Sequence, residues 1–323
     1  MDLKTILMFI AMGALAACMK EEIPVNPIPR GVVKTDQIAM TSSYNFQIYY
    51  DLETSSVVGQ HDKSSWDLGF NCTAEGWQII LNTAKLMAAT NSNIRAWKDL
   101  KDTNSITGWR WDAMSGNLDS TAIGSWMDTG LIYIIDRGYN SKGKRQGFAK
   151  LMVDEVDENH FEFRFSNLED ENSQSYEIIK DAEVNFVYFS FDNQGSQLWL
   201  EPNKEVWDLV FTQYTNVFFE GTFPYLVSGV LHNPYKCLAI EDSLVGFENI
   251  ERSDAQRMKL KADIDIPGYD WKRYDFDEGR YITDPNRTYV IQTFQGYYFK
   301  LRFTDFYNSN GETGFPTFEF QYL

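Results

Sequence analysis

Histidine is scarce in this chain: His61, His160 and His232 are the only three in 323 residues. Imidazole is the commonest metal ligand and a frequent general base, so either chemistry has little to draw on. Basic residues are also short, 29 Lys and Arg against 46 Asp and Glu, for a net charge of −17. A surface of that sign repels phosphate backbones, which excludes nucleic acid as a partner. It also repels an anionic bilayer surface, so membrane attachment calls for a covalent anchor. The notable apolar run, Ile6 to Ala17, is too short to span a bilayer. Enzyme signatures are missing: there is no dinucleotide or nucleotide phosphate loop, no His-Glu-x-x-His and no Gly-x-Ser-x-Gly. No pair of carboxylates is singled out for acid–base work, so the chain reads as a non-enzyme. The acidic clusters at 154–158 and 275–278 lack the ligand spacing and central glycine of a calcium loop. They read as solvated faces.

Cysteine is equally sparse, and the first of the three has a clear context. Lys4 followed by the apolar stretch to Ala17 is a secretory signal over residues 1–17. It ends in Leu15-Ala16-Ala17-Cys18, which resembles a bacterial lipobox, so Cys18 is the expected lipidation site and new N-terminus. Met19-Lys20-Glu21-Glu22 is similar to the signal that sends lipoproteins to the outer face of the outer membrane. Pro24, Pro27 and Pro29 make residues 18–30 a stiff tether between lipid and folded protein. The expected address is the outer membrane, lipid-anchored and facing the cell exterior. Cys72 and Cys237 remain. An exported protein permits a disulfide between them, and two buried thiols satisfy the sequence as well.

What the chain has in quantity is aromatic residues, 15% of the total, which favour sheets. One pentamer occurs twice: Trp66-Asp67-Leu68-Gly69-Phe70 and Trp207-Asp208-Leu209-Val210-Phe211. Around it other segments repeat in order. Phe46–Asp51 answers to Phe186–Asp192, Trp97 to Phe247, Ile106–Trp111 to Ile266–Trp271, and Lys150-Leu151 to Lys300-Leu301. Short helical stretches are expected at Asn93–Leu100 and Leu244–Ile250. Each copy closes on a strand of period two, Phe161-x-Phe163-x-Phe165 and Phe318-x-Phe320, with one buried and one wet face. The fold class is all-β, mainly antiparallel with little helix, as a tandem duplication over residues 31–171 and 172–323. In the pentamer, Trp, Leu and Phe sit at strand spacing and read as core, with the Asp bonding a nearby turn.

The pentamer, the segment Ile266-Pro267-Gly268-Tyr269-Asp270-Trp271-Lys272, and the run from Tyr289 through Tyr297-Tyr298-Phe299-Lys300-Leu301-Arg302-Phe303 resemble the HmuY-like family, once per repeat. That resemblance implies a β-domain on an outer-membrane lipoprotein that binds haem, or a related porphyrin, and hands it to a TonB-dependent receptor. The founding member's two axial histidines have no counterpart: the matching stretches 100–128 and 251–288 contain no histidine. Thioether ligation by Met258, Met114 or Met127, or a contact from His232, is what remains for haem. Glycan binding through exposed rings and a non-haem accessory role in an outer-membrane complex are the alternatives. The ligand is expected where the copies diverge, between Trp97 and Trp126 or between Phe247 and Tyr281.

Overall fold

The computed structural model describes residues 31–127, 129–218 and 223–323. The expected signal peptide 1–17, lipidation site Cys18 and tether 18–30 lie outside the described residues. From Gly31 to Leu323 the chain forms one unit. It is almost entirely antiparallel sheet, with one four-residue helix, α1 (Arg252–Ala255), among the described residues.

The first copy contributes β1 (Lys34–Gln37), β2 (Phe46–Asp51), β3 (Ser56–Asp62), β4 (Leu68–Asn71), β5 (Ile79–Leu81), β6 (Ala88–Asn91), β7 (Tyr133–Asp136), β8 (Phe148–Val156) and β9 (His160–Asn167). The second contributes β10 (Gln174–Ile179), β11 (Phe186–Ser190), β12 (Ser196–Leu198), β13 (Leu209–Phe218), β14 (Phe223–His232), β15 (Leu238–Asp242), then β18 (Thr288–Gln292), β19 (Tyr298–Tyr307) and β20 (Thr313–Tyr322). Between β15 and β18 it inserts a hairpin of its own, β16 (Lys272–Asp275) and β17 (Arg280–Thr283).

Hydrogen bonding does not respect the sequence copies. One pair of sheets runs β12-β11-β4-β5 and β10-β9-β8-β7-β6; the other runs β14-β13-β2-β3 and β1-β20-β19-β18-β15. The first three strands of each copy are therefore exchanged. β10 to β12 complete the sheets of copy one, and β1 to β3 complete those of copy two. One module is thus continuous, residues 68–198. The other is residues 209–323 closed by the N-terminal 34–62. The apolar cores follow the same division. Leu68, Phe70, Phe161, Phe163, Val187 and Phe189 share one cluster; Ile48, Tyr50, Leu209, Phe211, Phe318 and Phe320 share the other.

Alternation explains the cores. Phe161, Phe163 and Phe165 are buried while Glu162 is exposed. The rings meet at angles that suit their quadrupoles: Phe163 lies edge-on to Phe189 at 5.1 Å, and Tyr50 to Phe318 at 5.3 Å. The ladders also correct the alignment of the copies. Tyr49 pairs with Val210 and Tyr188 with Gly69, so Tyr49 matches Tyr188 and Phe46 falls one residue out of step with Phe186.

The expected helical stretch at 93–100 is a 3-10 turn at Trp97–Asp99, and α1 begins beyond Ile250. Both turns are tied down by a buried lysine at matched positions. Lys150 Nζ donates to the carbonyls of Trp97, Leu100 and Asp170, and Lys300 Nζ to those of Phe247 and Ile250. The turn after β7 requires glycine: at Gly138 φ is +60° and a Cβ would lie 1.9 Å from the Lys85 carbonyl oxygen. Cys72 and Cys237 are both free and buried, so the disulfide alternative is not formed.

Candidate functional site

β2 is buried on both faces. Ile48 and Tyr50 face its own module's core; Gln47 and Tyr49 meet the other module. The seam is specific. Trp66 Nε1 donates to Gln47 Oε1 at 2.8 Å, and Thr215 Oγ1 to the Thr83 carbonyl at 2.6 Å. The Trp66 ring lies 4.5 Å from Tyr188, and Trp207 lies 5.0 Å from its counterpart Tyr49. These rings line a cavity of about 140 Å³ at the seam. Buried Glu201 also lines it, accepting from Asn185 Nδ2 at 2.6 Å and from the Phe186 amide at 3.1 Å. Burial pushes its carboxyl up to about 7.

The pentamer's three apolar residues therefore divide. Leu68 and Phe70 are core, as expected, but Trp66 is at the seam. The strand begins only at Leu68, so the alternation does not extend back to the tryptophan. Its aspartates do bond a turn: Phe191 N donates to Asp67 at 2.9 Å and Leu52 N to Asp208 at 2.9 Å.

Beside the cavity, and sharing Asp112, Ala113 and Met114 with it, lies a more open cleft of about 500 Å³. One wall is the connection between β6 and β7, carrying Trp109, Trp111 and Met114; the other is Asn216, Val217 and Asp265 of the second module. The long connection is fixed at three points. Arg110 bridges to Ala89 as a strand would. Asp112 accepts from the amides of Leu81 at 2.6 Å and Ala122 at 2.7 Å. Ser115 O accepts from Ile264 N at 2.9 Å. Burial raises Asp112 to about 6, against the pull of those two amides. Arg110 is the one cation among the lining residues, and its guanidinium also donates to the Ala122 carbonyl.

Two matches to a family model, described as HmuY protein, cover residues 43–182 and 182–320. The chain belongs to the HmuY family. The matches take in nearly all of the folded unit, once per copy, and meet at residue 182. No curated protein matches the chain. Among solved structures, similar chains include apo PinO from Porphyromonas gingivitis, with 10% identity, 90% of this chain and 97% of that one covered, and a TM-score of 0.30. An apo HmuY analogue from Tannerella forsythia covers 92% and 98% at 12% identity and a TM-score of 0.27. A candidate HmuY-like heme binding protein from Bacteroides vulgatus covers 89% and 90% at 10% identity and a TM-score of 0.24. The family assignment rests on the two sequence-model matches.

Within this HmuY-family chain the four side chains nominated from sequence do not converge. Met114 lines both the cavity and the cleft. His232 lines the cavity, but it is fully buried, with Nδ1 2.9 Å from the Asn233 carbonyl and Nε2 3.0 Å from that of Asp263. Met258 packs in a satellite cluster with Ile250, Ala255 and Val290. Met127 is exposed on its loop. The other two histidines are engaged elsewhere, His61 with Tyr49 and His160 with Asp157. The donor set thus suits haem through one thioether, Met114, and not through a histidine pair.

The cleft does fall in the stretch where the copies diverge, and sequence missed its two tryptophans for a definite reason. Ile106–Trp111 was matched with Ile266–Trp271. The bridges Ala89–Arg110 and Ala239–Lys261 show that Trp109-Arg110-Trp111 answers instead to Leu260-Lys261-Ala262. Trp271 is a core residue, stacked on Phe303 at 4.2 Å. The lone β-bridge leaves no sequence signal from which that correspondence could be read.

Proposed function

We propose that the protein is a binding protein that takes up haem, or a related porphyrin, in the cleft between Trp109, Trp111 and Met114 and the facing strand β13, and passes it to an outer-membrane TonB-dependent receptor. The observation that carries this reading is the size and chemistry of that cleft. At about 500 Å³ it falls within the range of pockets that enclose drug-sized ligands, whereas the seam cavity of about 140 Å³ does not. Trp111 and Trp109, the latter also packed on Phe148, supply apolar ring surface for a planar ligand, Arg110 a partner for a carboxylate, and Met114 a soft donor. The family supports the reading, since one similar solved chain is described as HmuY-like and heme binding. Lipidation at Cys18 and an outward-facing outer-membrane address belong to the same proposal.

Titration of the full-length chain with metal-free protoporphyrin, followed by tryptophan fluorescence, tests the cleft apart from iron ligation. Saturable quenching that weakens at least tenfold in the W111A variant is expected. Quenching that is absent, or unchanged in that variant, would count against the cleft.

A second reading, glycan binding, has one observation in its favour. The β16–β17 hairpin presents Tyr274 and Phe276, 5.2 Å apart, with Phe276 89% exposed. Retarded migration in a polysaccharide gel, lost in F276A, would favour it over porphyrin capture.

A further inference from the structure

The duplication supplies its own control on the wet face of the last sheets. In the second module Glu319 lies between Arg302 on β19 and Thr35 on β1, and Arg302 pairs with it at 2.6 Å. The matching residue in the first module is Glu162. Its neighbours are Glu155 on β8 and Glu177 on β10, so three glutamates stand in a row across three strands. Like charges directly opposite one another destabilise a sheet. The base that follows on the same face, Arg164, is bound to Asp154 at 2.6 Å. Among the described residues no Lys or Arg pairs with Glu162 or Glu177; Glu162 has only His160, at 3.5 Å.

His160 is oriented as well as near. Its Nδ1 is held by the Asp157 carboxylate at 2.9 Å, which leaves Nε2 turned towards Glu162. A histidine fixed by a carboxylate through one nitrogen and open at the other is the usual arrangement behind a metal ligand. One ligand atom each from His160, Glu162 and Glu177 lie within 4.8 Å of one another. We propose that His160, Glu162 and Glu177 bind a divalent transition-metal ion such as Zn²⁺, with Asp157 positioning the imidazole. One nitrogen and two carboxylate oxygens suit Zn²⁺ and leave a coordination position open to solvent. The ion would tie β10, the first strand of copy two, to β9, the last strand of copy one. This site is separate from the cleft and does not depend on porphyrin binding.

Isothermal titration of the full-length chain in detergent with zinc chloride tests the proposal. We expect one saturable site, weakened at least tenfold in H160Q and in E177Q and unchanged in H61Q. We also expect zinc to raise the thermal midpoint of the parent chain but not of E177Q. His160 and Glu177 lie on the solvent-facing sides of β9 and β10, and near-ultraviolet dichroism checks that every variant is folded. No saturable binding, or binding of parental strength in both H160Q and E177Q, would overturn the site.

Discussion

Asp67→Asn is expected to destabilise the protein by about 3–5 kcal/mol, while the same change at its repeat partner, Asp208→Asn, is expected to stabilise it above pH 7. The two aspartates hold matching places in the pentamer and accept matching backbone bonds. Their surroundings have diverged. Asp67 is fully buried against Lys85 Nζ at 2.5 Å and Arg137 Nη2 at 3.0 Å. Burial alone would raise its carboxyl, but the two cations overcome that and hold it below the ordinary range. Neutralising Asp67 leaves Lys85 buried without its counter-charge and Arg137 with Asp192 alone, at 2.6 Å.

In the second copy Thr293 takes the register position of Arg137, and Lys236 lies over the Tyr235 ring at 4.9 Å. Burial, with Asp51 and Glu53 nearby, pushes Asp208 up to about 7. The folded state therefore keeps a proton that the unfolded chain releases near pH 4. Stability falls as pH rises from about 4 to 7 and stays lower above that. Asp208→Asn removes this loss: its amide oxygen keeps the bond from Leu52, and the gain, on the order of 4 kcal/mol at pH 8, shrinks towards zero at pH 4. Thermal midpoints of both variants across that range are the check. A shift of the same sign at pH 8 would contradict the assignment.

The second large effect concerns the exchanged strands. A fragment covering residues 63–203 is expected to fold alone, because β4 to β12 close both of its sheets. A fragment covering 199–323 is expected not to. It lacks Ile38, Met40, Ile48 and Leu52, all core side chains of its module. Each contributes roughly 1.5–3 kcal/mol by burial, together on the order of a domain's whole stability. Adding a peptide of residues 31–62 should restore near-ultraviolet dichroism and a cooperative melt. Folding of 199–323 by itself would show that the N-terminal strands are dispensable.

Much of the fold was legible because period two is a strong signal and the pentamer is distinctive. The Phe161–Phe165 and Phe318–Phe320 alternations gave closing strands, and Lys150 and Lys300 marked matched places. The exchange was not legible. A copy keeps the same strands in the same order whether its first three strands close on their own sheets or on the other copy's, so no local pattern distinguishes the two. The boundary expected at 171/172 marks where the sequence pattern restarts, whereas the hydrogen-bonded modules change over near 63–67 and 199–208. The candidate cleft lies in the stretch where a ligand was expected, but its lining was only partly legible. Met114 was named for its chemistry; Trp109 and Trp111 were hidden by a mistaken correspondence with Tyr269 and Trp271. Asp112, which fixes that segment through two backbone amides, carries no mark in sequence to separate it from the other acids.

We propose that the cleft at Met114 receives a porphyrin with the thioether as a ligand to its iron. Titration of the full-length chain with ferric and then ferrous haem, read in the Soret band, tests it most directly. A saturable shift, larger in the ferrous state and altered in Met114→Ala but not in Met258→Ala or Met127→Ala, is the predicted result. No saturable shift in either oxidation state, or a spectrum unchanged in Met114→Ala, would contradict it.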